Sequence, residues 1–311
     1  MNSPHVPVLP SEVLQAFSDI KEGVVVDCTL GYAGHSSLIL EQNDNIKLIA
    51  CDQDDEAIEF STNKLAKFKD HVSIFKSRFS EILSKVNTQE IRGILADIGV
   101  SSLQLDKNER GFGLKSDNLD MRMDTSGELT AYEVVNFYPE HKLAQIFKDY
   151  GELTNAKQIA ANIANERQKQ KISSASELAR IIGTKSIKNR SVSPAILAFQ
   201  AIRIEVNAEL AELENLLNAI ENSSINECVV AIISFHSLED RIVKNRFKKW
   251  AKSCICPDEA MRCTCGNNHS IGEIVTKKAI MPSVDETKRN PRSSCAKMRI
   301  FKISRGKKNA R

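Results

Sequence analysis

The fold is decided by residues 24–36, which read VVVDCTLGYAGHS. Val24–Cys28 is an apolar run broken by one aspartate, a pattern typical of a strand that is covered on both faces. Two glycines follow in a loop that opens a helical pattern from Gly34 to Glu41. This order of strand, glycine loop and helix predicts an α/β fold, with a nucleotide-type binding loop at the start of the helix.

The same alternation continues through the first hundred residues. It predicts strands at Val24–Cys28, Ile46–Cys51, Val72–Phe75 and Ile91–Ala96, separated by helices near Gly34–Glu41, Asp54–Lys67 and Phe79–Val86. Continuous apolar strands joined by crossover helices imply a doubly wound, mostly parallel sheet with right-handed connections.

A change of pattern then divides the chain. From about Thr130 to Glu221 only helical patterns occur, and strand patterns return at Cys228–Phe235 and Lys297–Ile303. We therefore predict a discontinuous α/β domain, residues 1–103 and 214–311, interrupted by an inserted all-helical domain at 104–213.

Composition narrows the class of protein. The 311 residues suffice for about two domains, and 41% hydrophobic with 27% charged residues exclude a disordered or collagen-like chain. No apolar run is long enough for a membrane helix, and the first ten residues lack a secretory signal pattern, so we expect a cytoplasmic protein with no membrane partner. The sequence leaves open whether the chain forms a homodimer.

The net charge of +3 hides an uneven distribution. Residues 241–311 carry 19 lysines and arginines against 5 acidic residues, a net charge of +14, whereas residues 1–240 carry −11. Such a segment attracts a polyanion, although a solvated basic tail would give the same composition.

Polar residues at the predicted strand ends form a candidate binding site, because ligands of open α/β sheets bind beyond the carboxyl ends of the strands. Asp52 ends the second strand, where a carboxylate can accept both hydroxyls of a ribose. Ala33 occupies a position at which a complete G-x-G-x-x-G motif would have another glycine. The incomplete motif favours an adenosine ligand without phosphates over a dinucleotide. A merely tight turn followed by a surface aspartate is the alternative.

Further strand ends add candidates. Phe79 follows the third strand and either stacks on a purine or belongs to the core. Asp97–Gln104 carries a carboxylate, two hydroxyls and an amide, which either bind a ligand or form an Asx or Ser turn. One further segment has two interpretations, a glycine-hinged loop over a substrate or a linker into the insert. It contains Arg110–Gly113 and Leu119–Asp124.

The late strand is followed by a second polar cluster. Ser237 is the expected N-cap of the next helix, with Glu239 and Asp240 in its first turn. Capping leaves His236 unexplained, and substrate contact and a structural role are both open for it.

The cysteines suggest a metal site. Cys254, Cys256, Cys263 and Cys265 form two C-x-C pairs separated by six residues, an arrangement that suits a tetrahedral structural zinc ion. Free surface thiols or a redox pair are the alternatives.

Several segments together resemble one family, the bacterial small-subunit ribosomal RNA cytosine-N4 methyltransferases, known as RsmH or MraW. These segments are His5–Leu9, Asp27–Ser36, Asp97–Gln104, Arg110–Phe112, Leu119–Asp124, Phe199–Ile204, Ile233–Lys244 and Asn290–Ser293. The resemblance runs nearly from end to end. Departures are Ala33, where the family usually has glycine, and Asn118, where proline is common.

The resemblance implies a Rossmann-like methyltransferase sheet interrupted by a helical domain, and a cytidine of 16S rRNA as substrate, in the decoding region of the small ribosomal subunit. It also implies S-adenosylmethionine as cofactor. The residues that it assigns to cofactor binding are Ala33, Gly34, His35, Asp52, Phe79, Asp97 and Gln104.

For the chemistry we expect in-line methyl transfer to a flipped-out base, without a metal. Asp97 is the first hypothesis for the group that accepts a hydrogen bond from the reacting amine, and Asp120 or His236 could act instead. Phe112 is the expected stacking partner of the base. The basic carboxy-terminal segment and three cations of the insert are expected to bind RNA phosphates; these are Lys185, Lys188 and Arg190.

Two other classes stay open on sequence grounds. A nicotinamide-dependent oxidoreductase would also use an α/β sheet and Asp52, but it needs a fuller phosphate loop. A non-catalytic RNA-binding assembly factor would need only the basic surfaces.

Overall fold

The computed structural model describes residues 6–184, 192–257 and 259–305. The elements in chain order are α1 (Pro10–Phe17), β1 (Gly23–Asp27), α2 (Gly34–Gln42), β2 (Ile46–Asp52), α3 (Asp55–Lys64), β3 (Val72–Lys76), β4 (Ile91–Asp97), α4 (Ser102–Asp106), α5 (Ala131–Phe137), α6 (Glu140–Asp149), α7 (Ala156–Lys169), α8 (Ala175–Ile182), α9 (Pro194–Asn207), α10 (Glu209–Asn222), β5 (Glu227–Ser234), α11 (Ser237–Ala251), β6 (Gly272–Ile274), α12 (Val284–Arg289) and β7 (Lys297–Ser304). Lys185, Lys188 and Arg190, the expected phosphate contacts, lie outside the described residues. Within the described ranges no helix has both the length and the apolar character needed to cross a bilayer.

Seven strands form one sheet in the order β3-β2-β1-β4-β5-β7-β6. The first five in this order are parallel, and β7 runs antiparallel to both β5 and β6. The predicted doubly wound, mostly parallel sheet is therefore confirmed. Strand order reverses between β1 and β4, because β2 and β3 lie on one side of β1 while β4 and β5 lie on the other. In such sheets ligands bind at this switch point.

Both faces of the sheet are buried, as the continuous apolar strands predict. Val24 and Val26 of β1 pack into one cluster with Phe247 and Trp250 of α11. Val25, between them, points to the opposite face and packs with residues of α1 and α2 such as Phe17. Alternation of side chains along β1 thus places one apolar layer on each side of the sheet.

Two short elements differ from the sequence-based prediction. The predicted helix at Phe79–Val86 is wrong, since only a 3₁₀ turn forms, at Ile82–Lys85. The sequence pattern also missed β6, a three-residue edge strand paired with β7. Such a strand is too short to show a hydrophobic period.

The chain forms two compact units, one of residues 1–99 with 212–311 and one of residues 100–211. The first unit contains the whole sheet. The second is helical, and its core is built from α5 to α9, with Phe147 and Ile163 among the side chains that solvent does not reach.

Candidate functional site

Three neighbouring strands end in aspartate where the strand order reverses. Asp27 ends β1, Asp52 ends β2 and Asp97 ends β4. The register places Asp27 opposite Ala50 of β2 and Leu95 of β4, so Asp52 and Asp97 each extend two residues farther along their strands. The sheet therefore presents a row of carboxylates at its carboxyl edge, the place where the sequence predicted a site.

Asp27 holds the glycine loop from within. Its Oδ2 accepts a hydrogen bond from Ser36 Oγ at 2.6 Å, and its Oδ1 accepts one from the Thr29 N–H at 3.1 Å. Burial raises the pKa of Asp27, and these two donors oppose the rise. Asp27 was not predicted as a site residue, although its position at a strand end matches that of Asp52 and Asp97.

Asp52 closes the other side of the loop. Its Oδ2 accepts the Gly31 N–H at 2.8 Å and its Oδ1 accepts the Asp54 N–H at 2.9 Å. Burial raises the pKa of Asp52 to about 6, despite these hydrogen bonds. The carboxylate is thus fixed in direction and still carries lone pairs that a ligand hydroxyl can use.

The loop itself depends on left-handed backbone. Gly31 has φ of 49° and Ala33, the N-cap of α2, has φ of 52°. The Ala33 N–H donates to the Leu30 carbonyl at 2.8 Å, so it is used within the loop. Space is tight at Gly34, because a Cβ there would lie 3.1 Å from Pro7 Cβ. Pro7 belongs to the amino-terminal segment that entered the family resemblance.

His35 and Asp97 form a buried pair beside the glycine loop. His35 Nε2 lies 3.5 Å from Asp97 Oδ2, and the two side chains are 6% and 17% exposed. Among the described residues neither ring nitrogen of His35 nor Asp97 Oδ1 has a hydrogen-bond partner, although all three atoms are buried. The Asp97 N–H donates to Thr29 Oγ1 at 2.7 Å, which ties β4 to the glycine loop. Buried polar atoms without partners are rare and indicate a missing ligand or water.

Phe79 sits on a loop that is anchored from far along the chain. Glu212 of α10 accepts hydrogen bonds from Arg78 Nη1 at 3.1 Å and from Ser80 Oγ at 2.6 Å. Phe79, between these two anchors, is half-buried and packs against the core. Glu212 is a positioning residue that the sequence analysis missed, because nothing local connects it with β3.

The predicted cap of α11 is wrong by one residue. The N-cap is His236, not Ser237: His236 Nδ1 accepts the Glu239 N–H at 3.5 Å. Glu239, which is fully buried, accepts the N–H groups of Phe235 at 2.8 Å and His236 at 3.2 Å. His236 was unexplained by capping in the sequence analysis, and it is in fact one half of a capping box.

The second unit holds the remaining candidates. Gln104 is buried, and its Oε1 accepts the Ser101 N–H at 3.0 Å. Asp120 binds Arg122 through two hydrogen bonds, at 2.9 Å to Nε and 2.7 Å to Nη2. Partial burial raises the pKa of Asp120, but the Arg122 hydrogen bonds outweigh it and the net shift is downward.

The segment 110–124, which the sequence leaves open as a loop over a substrate or a linker into the insert, is internally bonded. Met121 N–H donates to the Arg110 carbonyl at 3.0 Å, and Arg110 Nη2 donates to the carbonyls of Arg122 and Met123, both at 3.1 Å. Gly111 has φ of 74°, and a Cβ there would meet Asp120 N at 2.5 Å. Phe112 is 6% exposed and belongs to the core of this unit, which does not favour its expected stacking on a base.

The four clustered cysteines lie on the loop between α11 and β6, and their sulfur atoms all lie within 4.8 Å of one another. The Ile255 N–H donates to Cys265 Sγ at 3.4 Å, and it is the main cause that lowers the pKa of Cys265 to about 5. Cys28, Cys51 and Cys228 are buried, and burial raises the pKa of each thiol.

The fold and the acidic strand ends define an α/β protein with a nucleotide-type site at the switch point of its sheet. A family model described as the MraW methylase family matches residues 2–304. A protein of Campylobacter curvus (strain 525.92), named "Ribosomal RNA small subunit methyltransferase H", is 62% identical over 306 residues, which cover 97% of this chain and 99% of that protein. A protein of the same name from Campylobacter fetus subsp. fetus (strain 82-40) is 60% identical over 305 residues, covering 98% and 99%. The chain belongs to the MraW methylase family, as the sequence resemblance indicated.

Proposed function

We propose that this protein transfers a methyl group from S-adenosylmethionine to N4 of a cytidine in 16S rRNA, within the decoding region of the small ribosomal subunit. The observation that carries the proposal is the buried pair of His35 and Asp97, with unpartnered polar atoms, beside the glycine loop of a methylase-family sheet.

The residues of the first unit fit S-adenosylmethionine. Asp52 offers a fixed carboxylate for the two ribose hydroxyls, and half-buried Phe79 offers an aromatic wall for the purine. The backbone N–H groups of Gly34 and His35 lie in the first turn of α2, where N–H groups have no intrahelical partner. Ala33 is the N-cap of the same helix. The family resemblance also assigns Gln104 to cofactor binding.

The same loop argues against a phosphate-bearing cofactor. The N–H groups of Gly31 and Ala33 are already used, by Asp52 and by the Leu30 carbonyl. A pyrophosphate cradle needs such backbone donors free, so the loop favours a nucleoside ligand over a nicotinamide dinucleotide. A methyltransferase is thereby favoured over the oxidoreductase.

When bound, S-adenosylmethionine supplies a methyl carbon attached to a cationic sulfur. The chain has to hold the cytosine amine in line with that carbon and to stabilise the positive charge that grows on the nitrogen. Asp97 suits this role because its Oδ1 is an acceptor without a partner. Asp120 is weaker as an acceptor because both oxygens bind Arg122, and His236 is engaged in capping α11.

RNA as substrate rests on the names of the relatives and on the charge of residues 241–311. We assign methyl transfer to residues 1–103 and 214–311 and RNA recognition to the insert, 104–213. A base has to leave its stack to reach the cofactor, so the proposal includes base flipping. The cytoplasm, where ribosomal subunits are found, is the proposed location.

The test uses labelled S-adenosylmethionine and small subunits that lack the modification. Label recovered in N4-methylcytidine after nucleoside analysis is the expected result; label in another nucleoside would overturn the assignment of the base. Calorimetry with S-adenosylmethionine alone separates a methyltransferase from a non-catalytic assembly factor. The family resemblance also assigns Asp97 to cofactor binding, so Asp97→Asn is assayed at saturating S-adenosylmethionine, where turnover should fall by about 10²-fold or more. Normal turnover in Asp97→Asn would remove Asp97 from the chemistry.

A further inference from the structure

The loop between α11 and β6 contains the four cysteines at 254, 256, 263 and 265, and the proposed reaction uses none of them. It spans twenty residues, and those of them that the structure describes form no helix or strand. Its two ends are joined by backbone hydrogen bonds, from Ile271 N–H to the Trp250 carbonyl at 2.9 Å and from His269 N–H to the Ser253 carbonyl at 3.0 Å. The loop is therefore closed at its base on the buried Trp250.

The described residues at the tip of this loop form no apolar core of their own. Ile255 is 61% exposed and Met261 is fully exposed. Cys263 is exposed, and Cys254, Cys256 and Cys265 are only partly buried. Hydrophobic packing cannot fix four thiols in one place here, so another kind of bond has to do so.

The distances between sulfur atoms match metal coordination. Cys254 Sγ lies 3.6 Å from Cys263 Sγ and 3.7 Å from Cys265 Sγ, and the last two are 3.5 Å apart. A disulfide needs about 2.05 Å. A tetrahedron with zinc–sulfur bonds of about 2.3 Å has edges of about 3.8 Å, close to the separations observed.

Backbone donors complete the arrangement. Besides the Ile255 N–H that reaches Cys265 Sγ, the Thr264 N–H donates to Cys256 Sγ at 3.3 Å. Each donor comes from between the cysteines of one C-x-C pair and binds a sulfur of the other pair, so the two turns face each other. N–H groups aimed at sulfur stabilise thiolates, the form in which cysteine binds a metal. His269 Nε2 lies 2.9 Å from the Cys265 carbonyl oxygen, which makes it a support for the turn and not a ligand.

We propose that Cys254, Cys256, Cys263 and Cys265 bind one zinc ion per chain, as a structural site that fixes the α11–β6 loop. On binding, the four thiols lose their protons to solvent and the four thiolates form bonds to Zn²⁺, with no change of oxidation state. Four protein ligands leave no open position, so the ion has a structural role and no part in methyl transfer.

The first measurement is the metal content of the full chain, purified under reducing conditions without chelator. We expect one zinc per chain, and four additional titratable thiols after the metal is removed with a chelator. Replacing zinc by Co²⁺ should give the intense thiolate-to-metal absorption of a tetrahedral sulfur site. A chain with neither zinc nor the ability to take up zinc or cobalt, or one with a disulfide in the cluster, overturns the proposal, as does iron bound in place of zinc.

Variants separate this site from the other cysteines. Cys256→Ser and Cys265→Ser should each lower the zinc content to below about a tenth of that of the unmodified chain under dilute chelator. Cys295→Ser, which changes an exposed cysteine outside the cluster, should keep the full content. Loss of zinc should also expose the bond after Arg262 to trypsin, while circular dichroism of the remainder stays unchanged. Equal zinc loss in Cys295→Ser, or no loss in the two cluster variants, contradicts the assignment.

Discussion

Ala33 shows that the glycine loop tolerates a side chain in left-handed backbone. A left-handed conformation costs a non-glycine residue about 1–2 kcal/mol, and Ala33 adopts it at the N-cap of α2. The strain is compensated by the surrounding loop, in which Asp27 and Asp52 each bind backbone N–H groups. Ala33 is one of several non-glycine residues with positive φ, but it lies beside the proposed cofactor.

We therefore expect Ala33→Gly to stabilise the protein by about 0.5–1 kcal/mol, because the relief of strain exceeds the larger backbone entropy of unfolded glycine. Denaturant unfolding with S-adenosylmethionine absent measures this change. The control is Ala57→Gly in α3, where ordinary helical backbone makes glycine destabilising by about 1 kcal/mol. Destabilisation by both substitutions would show that the left-handed backbone at 33 carries no strain.

Asp52 gives a prediction about pH. Its pKa is raised to about 6 by burial, and a protonated carboxyl accepts hydrogen bonds from ribose hydroxyls less well than a carboxylate. The dissociation constant for S-adenosylmethionine should therefore stay level above pH of about 7 and rise as pH falls through about 6. Calorimetry across this range measures it.

The variant Asp52→Asn is the matched comparison for that pH profile. It should bind S-adenosylmethionine more weakly at neutral pH and lose the inflection near pH 6. An inflection that persists in Asp52→Asn would belong to another buried group, and Asp27, whose pKa is also raised, is the first candidate.

The helix α11 is held in place by contacts of its first turn. His236 and Glu239 satisfy backbone N–H groups at its start. In the same turn Asp240 binds Arg299 of β7 through two hydrogen bonds, at 2.6 and 3.1 Å. The helix therefore begins at a fixed point relative to the strand that follows β5 in the sheet. Capping accounts for His236 Nδ1, whereas His236 Nε2 lies 3.0 Å from Glu239 Oε1 and has no hydrogen-bond partner among the described residues. A substrate contact by His236 therefore stays a prediction.

Two substitutions at 236 distinguish capping from catalysis. Asparagine is a good N-cap and alanine is not, so His236→Asn should be more stable than His236→Ala by about 1 kcal/mol in denaturant unfolding. Methyl transfer by His236→Asn should stay within about tenfold of the unmodified chain, well short of the 10²–10⁴-fold loss expected when a general base is removed. A larger loss with normal cofactor binding would place the imidazole at the substrate.

Elements with a strong period were predictable, and those fixed by distant contacts were not. The strands of the parallel sheet follow from continuous apolar runs, and Asp52 and Asp97 follow from being at strand ends. The segment after β3 was predicted as a helix because its local pattern permits one. Its conformation depends on Glu212, which binds Arg78 and Ser80 across more than 130 residues, and no local pattern reveals that contact.

The basic carboxy-terminal segment, residues 241–311, contains cations that stabilise the fold and cations that are exposed. Arg246 and Lys249 both bind Glu221, and Arg299 binds Asp240. Arg305 donates to the carbonyls of Ile220, Glu221 and Ser223. The net charge of residues 241–311 thus overstates what RNA can use, because part of it already stabilises the fold.

Lys244 and Lys248 are exposed and lie one turn apart on α11, which makes them candidates for phosphate contacts. Reversing both charges, Lys244→Glu with Lys248→Glu, should weaken binding to small-subunit RNA. The slope of log K against log salt concentration should become shallower by about two units. Binding titrations at several salt concentrations measure both quantities.

The control is Lys47→Glu with Lys69→Glu, two exposed lysines outside the basic segment, with the same change in net charge. If both double variants lose the same affinity, the effect is one of total charge and α11 is not an RNA-binding surface. If binding of the unmodified chain does not decline with salt, phosphate contacts do not hold the RNA at all.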